Sequence, residues 1–225
     1  MILTVRAIED TAALDALATR IDRLEWRDGG ATAGATAKAV KRNLQAVLSG
    51  REGEALHGDL MRIVADNAVV KAAAQPHRFS RLLVSRTEGE GHYGAHVDNA
   101  LMGKGEDRMR TDISFTLFLT PPAEYEGGEL VIHAAGMTQW VKPQAGEIVL
   151  YPSSSIHEVR PVTGGCRIAC VGWIESWIAD QGQREMLFDL ENLRVSLRTQ
   201  MSRQSAELLT LDKTIANLMR MWGRR

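Results

Sequence analysis

Asp112-Ile113-Ser114-Phe115-Thr116-Leu117-Phe118-Leu119-Thr120 is the stretch whose pattern decides the fold. Ile113, Phe115, Leu117 and Leu119 fall on one face of an extended chain, and Ser114, Thr116, Phe118 and Thr120 fall on the other. A period of two predicts a β-strand. Working outward, short strands are expected over 78–86, 129–133, 138–141, 147–151, 158–162 and 167–175. Turn-forming clusters separate them: Gly127-Gly128, Ala135-Gly136, Pro143 to Gly146, and Thr163 to Gly165. The last cluster is expected to be a tight turn that joins two adjacent strands. Many short strands at such spacing, preceded by helices, predict an α+β fold: a double-sheet barrel with helices packed outside.

Upstream, the period changes. Leu14, Leu17, Ile21 and Leu24 lie at helical spacing, so a helix is expected over 10–26, capped by Asp10 or Thr11. Residues 28–34 read as a loop, 35–48 as a second helix, and 54–73 as a third that stops before Pro76. Downstream of Trp177, Leu190, Leu193, Leu197 and Met201 form one stripe, and Leu208, Leu211, Ile215, Leu218 and Trp222 form another. These stripes are expected to pack on the barrel or on each other, with a homo-oligomer interface as the second reading. Arg220, Arg224 and Arg225 read as a solvated basic helix end.

Composition excludes several classes of function. The chain has 225 residues, 44% apolar and 24% charged, which is ordinary for a globular protein with a sizeable core. A net charge of −1 gives the molecule as a whole no electrostatic attraction to nucleic acid or anionic lipid. Met1 to Asp10 lacks the basic and apolar segments of a signal peptide, and no stretch reaches the ~20 apolar residues of a spanning helix. Cys166 and Cys170 lie on one expected strand, roughly 13 Å apart at ~3.3 Å per residue, too far for a disulfide. A reducing cytoplasm is the expected compartment.

The candidate chemistry starts at His96-Val97-Asp98. Residues i and i+2 of an extended chain share a side, so an imidazole and a carboxylate stand together. His157, 59 residues after Asp98, begins an expected strand and supplies a second imidazole. Two nitrogens and one oxygen on one face of a metal, with the other face open, suit non-haem Fe(II). Arg167, ten residues beyond His157, can hold the far end of a dicarboxylate in a bidentate pair. Singly, each has a plainer explanation: Asp98-Asn99 as turn chemistry, His157 as a partly exposed histidine, Arg167 as an arginine reaching solvent. Their occurrence together and in order is what points to a site. His77, His92 and His133 read as structural or solvent-facing.

Tyr93-Gly94-Ala95-His96-Val97-Asp98-Asn99-Ala100 resembles the metal signature of the prolyl-4-hydroxylase-like Fe(II)/2-oxoglutarate-dependent dioxygenases. Within that superfamily the chain looks like the bacterial PKHD-type hydroxylases, the iron-uptake-factor-like proteins. Residues 112–119, Glu126-Gly127-Gly128-Glu129-Leu130, residues 145–153 and Val162-Thr163-Gly164-Gly165-Cys166-Arg167 carry the same likeness, which runs from about Leu24 into the C-terminal helices. The resemblance implies that His96, Asp98 and His157 ligate iron and that Arg167 binds 2-oxoglutarate. It implies a double-stranded β-helix (jelly roll) as the core at 77–177, with helices at 1–76 completing a dioxygenase domain over 1–177 and a helical extension at 178–225. The implied reaction decarboxylates 2-oxoglutarate to succinate while dioxygen hydroxylates a substrate, with L-ascorbate as auxiliary reductant and a link to iron homeostasis. Many relatives have tyrosine nine residues before the first histidine; Thr87 stands there in this chain, and Tyr93 is the alternative source of a hydroxyl. Two other readings are a non-catalytic iron or 2-oxoglutarate sensor acting through a protein partner, and a metal-binding cupin without co-substrate, which fits Arg167 badly. A peptidyl proline or lysine, a free amino acid and a siderophore-like molecule all stay open as substrates. Residues 101–110 read as a mobile lid that would choose among them.

Overall fold

Ile113–Phe118 forms a strand, β10, that is buried on both faces. It lies between β14 (Glu147–Pro152) and the C-terminal half of β15 (Ile156–Ser176), antiparallel to both. Ile113, Phe115 and Leu117, with neighbouring Leu119, sit in the larger apolar core, as the alternation predicts. Ser114 and Thr116, on the opposite face, line an internal cavity. The computed structural model describes residues 1–32, 39–134 and 136–223.

Two sheets wall the cavity and share β15. One runs β1-β14-β10-β15-β6-β4-β2, where β1 is Leu3–Arg6, β2 Trp26–Asp28, β4 Leu44–Ala46 and β6 Leu83–Glu88. The other pairs the N-terminal half of β15 with β7 (Gly91–His96), β11 (Tyr125–Gly127) and β12 (Leu130–Ala134). Beyond these, β3 (Lys41–Arg42) flanks β7, and β13 (Met137–Val141) flanks β12. This is the double-stranded β-helix of an α+β protein. Helices cover the outer face of the first sheet. Leu17 and Ile21 of α1 (Thr11–Asp22), Leu56, Leu60 and Val64 of α2 (Arg51–Asp66), and Val70, Ala73 and Ala74 of α3 (Ala68–Ala74) join the core of Phe115 and Leu117.

Several expectations are corrected. The first helix ends at Asp22, and Trp26 opens β2 instead. The helix expected over 35–48 is not formed at its C-terminal end: Lys41–Arg42 and Leu44–Ala46 are strands that pair with β7 and β6. A short mixed run shows no period that separates helix from strand, and sheet partners decide it. Residues 33–38 of that stretch lie outside the described residues, as do Ala135, Arg224 and Arg225. The helix expected over 54–73 is two helices, broken at Asn67, whose side chain accepts from the backbone N–H groups of Val69 and Val70 and so starts α3. The strand expected over 78–86 is likewise divided, into β5 (Pro76–Phe79) and β6. Residues 1–76 are therefore not all helical.

The most consequential correction concerns residues 158–175. They form no hairpin: β15 is continuous through Thr163, Gly164 and Gly165. The glycines instead serve a bulged crossing from one sheet to the other, with register shifts against β7 and β11. Gly165 has φ +69°, and a Cβ there would come 2.0 Å from the Glu124 carbonyl oxygen, so only glycine permits this approach of β11.

The C-terminal helices, α4 (Gln181–Arg198) and α5 (Ala206–Trp222), pack Leu190 against Leu211, Leu218 and Trp222 around Ile178, Leu187 and Ile215, while Leu193 of the expected first stripe is exposed. Cys166 and Cys170 are free. Among the described residues no helix is long and apolar enough to cross a membrane.

Candidate active site

Strand pairing brings the two histidines together. His96, the last residue of β7, is the cross-strand partner of His157 on β15, and their ring centroids are 4.3 Å apart. Asp98 lies two residues past His96, just beyond the strand end. Its Oδ1 is 4.0 Å from His96 Nε2 and its Oδ2 is 3.6 Å from His157 Nε2. One donor atom from each of the three lies within 4.8 Å of the others. The sequence-predicted triad therefore converges.

The surroundings fix which atoms face inward. His96 Nδ1 donates to the Gly94 carbonyl at 2.8 Å, and His157 Nδ1 donates to that of Ser155 at 3.0 Å. A carbonyl only accepts, so both protons sit on Nδ1, and both Nε2 lone pairs are left for a metal. Burial, with His157 beside it, lowers the His96 pKa to about 4, which keeps the ring neutral. Tyr93 stacks on His96 at 3.6 Å between centroids, and Tyr151 meets the His157 ring edge-on. Ser114 donates to Asp98 Oδ2 at 2.6 Å, and its oxygen lies 2.8 Å from Ser153 Oγ, which can donate in turn. Two imidazoles with Nε2 turned inward and one oriented carboxylate are a donor set that fits Fe(II) with its remaining positions open.

Arg167 occupies the deep end of the same cavity. It is 2% exposed, with its guanidinium carbon 4.8 Å over the Phe118 ring. Its Nε and Nη2 are buried without a hydrogen-bond partner. Burial pulls its pKa down, opposed by Tyr125 and Tyr151. A buried guanidinium with unspent donors is costly unless an anion completes it, so the residue fits the far carboxylate of 2-oxoglutarate. Gly128 leaves it room: a Cβ there would meet Arg167 Cδ and Tyr125 Cε2 at 3.0 Å each. Thr87 is the cross-strand partner of Arg167, whereas Tyr93 belongs to the metal end.

His92 is half-buried with its Nδ1 on the Glu90 carbonyl, His133 is exposed, and His77 packs at a tilt against Trp177 beside Glu175, so none of the three joins the triad. Sequence reasoning missed Ser114 and Ser153 behind Asp98. The signal for Ser114 was its place on the polar side of an otherwise apolar strand. It also missed Lys41, whose ammonium lies 4.9 Å over the Tyr93 ring and whose pKa is lowered by burial. The cavity measures about 950 Å³ including its open mouth.

Residues 82–175 match the family model of the 2OG-Fe(II) oxygenase superfamily, and 181–223 match that of the PKHD-type hydroxylase C-terminal domain. A PKHD-type hydroxylase of Hyphomonas neptunium is 50% identical over 211 residues, which are 93% of this chain and 94% of that protein. One of Synechococcus elongatus is 46% identical over 223 residues, 99% of this chain and 100% of that one. In fold the chain is similar to a Pseudomonas putida prolyl-4-hydroxylase, with TM-score 0.57 and 18% identity over 77% of this chain and 92% of that one. It is also similar to HygX of Streptomyces hygroscopicus, solved with nickel, 2-oxoglutarate and hygromycin B, with TM-score 0.52 and 14% identity over 79% and 84% of the two chains. Identity of this order across nearly whole chains, on a fold the sequence itself foretold, is decisive: the chain belongs to the PKHD-type hydroxylases, 2-oxoglutarate-dependent enzymes of the 2OG-Fe(II) oxygenase superfamily.

Proposed function

We propose that His96, Asp98 and His157 hold the Fe(II) of this hydroxylase and that Arg167 binds the far carboxylate of its 2-oxoglutarate. The observation that carries the reading is the pairing of a converged, tautomer-fixed donor set with a buried arginine whose Nε and Nη2 have no other partner. Bound iron supplies the redox chemistry that couples decarboxylation of 2-oxoglutarate to hydroxylation of a substrate by dioxygen. The chain's own share is positional. Ser114 orients the Asp98 carboxylate, the Gly94 and Ser155 carbonyls hold both rings edge-forward, and Arg167 with its apolar neighbours fixes the co-substrate away from bulk water. No side-chain acid or base is assigned a proton transfer.

L-ascorbate is proposed as the reductant that maintains the ferrous state, and the reducing cytoplasm as the compartment, in keeping with two free cysteines. A link to iron homeostasis rests on family resemblance. We assign residues 1–177 to the dioxygenase unit and 178–225 to a helical extension, a division that falls between the matches at 82–175 and 181–223. Exposed Leu193, Val195, Leu209 and Met221 on the last two helices favour a homo-oligomer through that extension. Light scattering should then give a mass above 24.8 kDa, and a monomer at high concentration would remove this part of the proposal.

The test of function is direct. Anaerobic protein loaded with Fe(II) should give a charge-transfer absorbance on addition of 2-oxoglutarate. Admission of dioxygen should yield succinate, and with substrate present a product one oxygen atom heavier. Absorbance without succinate under any condition would instead mark a sensor.

A further inference from the structure

Arg167 does not stand alone at the deep end of the cavity. Tyr125 opens β11 and is the cross-strand partner of Gly165, two residues before Arg167 on β15. Thr87 of β6 faces Arg167 from the other edge of β15. The arginine is thus flanked by a tyrosine on one edge and a threonine on the other. Tyr125 and the arginine stem border the same glycine: a Cβ on Gly128 would come 3.0 Å from Tyr125 Cε2 and 3.0 Å from Arg167 Cδ. Cε2 adjoins the carbon that bears the hydroxyl. Lys142 holds the ring, donating to the Tyr125 carbonyl oxygen at 2.8 Å with its ammonium 4.2 Å from the ring centroid.

The hydroxyl itself is unspent. Tyr125 is 3% exposed, and its Oη is buried with no hydrogen-bond partner. Burial raises its pKa and the Arg167 guanidinium opposes the rise, so the phenol keeps its proton beside a cation. A guanidinium only donates, so that proton is not given to Arg167 whatever the distance between them. Glu129 acts on both groups electrostatically, but neither the Tyr125 hydroxyl nor Arg167 Nε and Nη2 bonds to it. Nε and Nη2 form one edge of the guanidinium, the kind of edge that grips a carboxylate through two parallel N–H···O bonds. A carboxylate has about four lone-pair sites, and that grip uses two of them. Three buried donors on two adjacent residues are therefore left for one anion.

We infer that Tyr125 is a second binding residue for the far carboxylate of 2-oxoglutarate, its phenol donating to an oxygen of the carboxylate that Arg167 holds. The inference rests on the co-substrate role proposed for Arg167 and adds a residue to it. It also accounts for Thr87, which stands where many relatives have tyrosine: here the phenol comes from the opposite edge of β15. Tyr93, the alternative source, is stacked on His96 at the metal end.

The test compares two ligands that differ only at the far end. 2-Oxovalerate keeps the 2-oxo acid head of 2-oxoglutarate but ends in a methyl group. Each is titrated into anaerobic Fe(II) protein and followed by the charge-transfer band, in wild type, Tyr125→Phe and Arg167→Met. Loss of one hydrogen bond to a charged group should weaken 2-oxoglutarate about ten- to a hundredfold in Tyr125→Phe, with 2-oxovalerate within about twofold of wild type. Fe(II) affinity should not change. Unliganded Tyr125→Phe should melt at or above the wild-type temperature, because the oxygen removed bonds to nothing there. Equal losses for both ligands, an unchanged 2-oxoglutarate affinity, or a destabilised variant would each overturn the inference, the last by showing that the hydroxyl serves the fold. Arg167→Met separates that result from the reading beneath it. If this variant binds 2-oxoglutarate as wild type does, or wild type gives no band, the co-substrate assignment falls and the role of Tyr125 with it.

Discussion

Asp98→Ala should abolish turnover and reduce Fe(II) affinity by more than the 10- to 100-fold that typically follows loss of a group behind a metal ligand. Asp98 supplies the only oxygen of the donor set, and two imidazoles four ångströms apart leave a bound ion half held. The fold should survive. Ser114 donates to this carboxylate from the cavity side, and the apolar core built on Phe115, Leu117, Leu56 and Leu60 lies on the other side of the sheet. Removing a buried anion also relieves a desolvation cost, so unliganded protein should melt within a few degrees of wild type. Calorimetry is the deciding measurement. Iron binding unchanged in the variant would move the metal elsewhere, and the Glu88 and Glu90 carboxylates near β7 would be the next to test.

The convergence of His96, Asp98 and His157 was legible for a geometric reason. His96 and Asp98 declare themselves by i, i+2 spacing, which survives the end of β7 at His96. Arg167 lines the cavity of His157, but not by the route the sequence suggested. A hairpin was expected between His157 and Arg167, yet one bulged strand carries both. The bulged crossing still turns both residues inward, and His157, Arg167, Val171 and Trp173 all line the cavity. Gly164-Gly165 was unreadable as a bulge, because the same glycines suit a turn and a close crossing of β11. The short strands β1 to β4 were invisible for lack of length: two to four residues cannot display a period of two. Lys41 and Asn43 sit on or between them, so this wall of the cavity could not be read from the chain alone.

Arg167→Met should separate co-substrate binding from metal binding. The substitution keeps most of the side-chain volume and the apolar stem but removes the charge facing the far carboxylate of 2-oxoglutarate. A buried carboxylate left without its partner costs ~3–5 kcal/mol, or roughly 10²- to 10³-fold or more in affinity. The unliganded protein should behave differently. There the guanidinium is buried with Nε and Nη2 unpartnered, and its contact with Phe118 at 4.8 Å returns only about 0.5–2 kcal/mol. Burying an unpaired charge costs more than that, so the variant without 2-oxoglutarate should be at least as stable as wild type. A residue kept at a cost to the empty fold and repaid on binding is the signature of a ligand site. Fe(II) should still bind, since His96, Asp98 and His157 are untouched. Arg167→Lys should rescue only part of the loss, because a point charge cannot replace a two-pronged contact. Titration of 2-oxoglutarate into anaerobic Fe(II) protein, followed by charge-transfer absorbance, measures all three proteins. Equal affinity in wild type and Arg167→Met would sink the co-substrate assignment, while a destabilised unliganded variant would mean that Arg167 serves the fold before it serves the ligand.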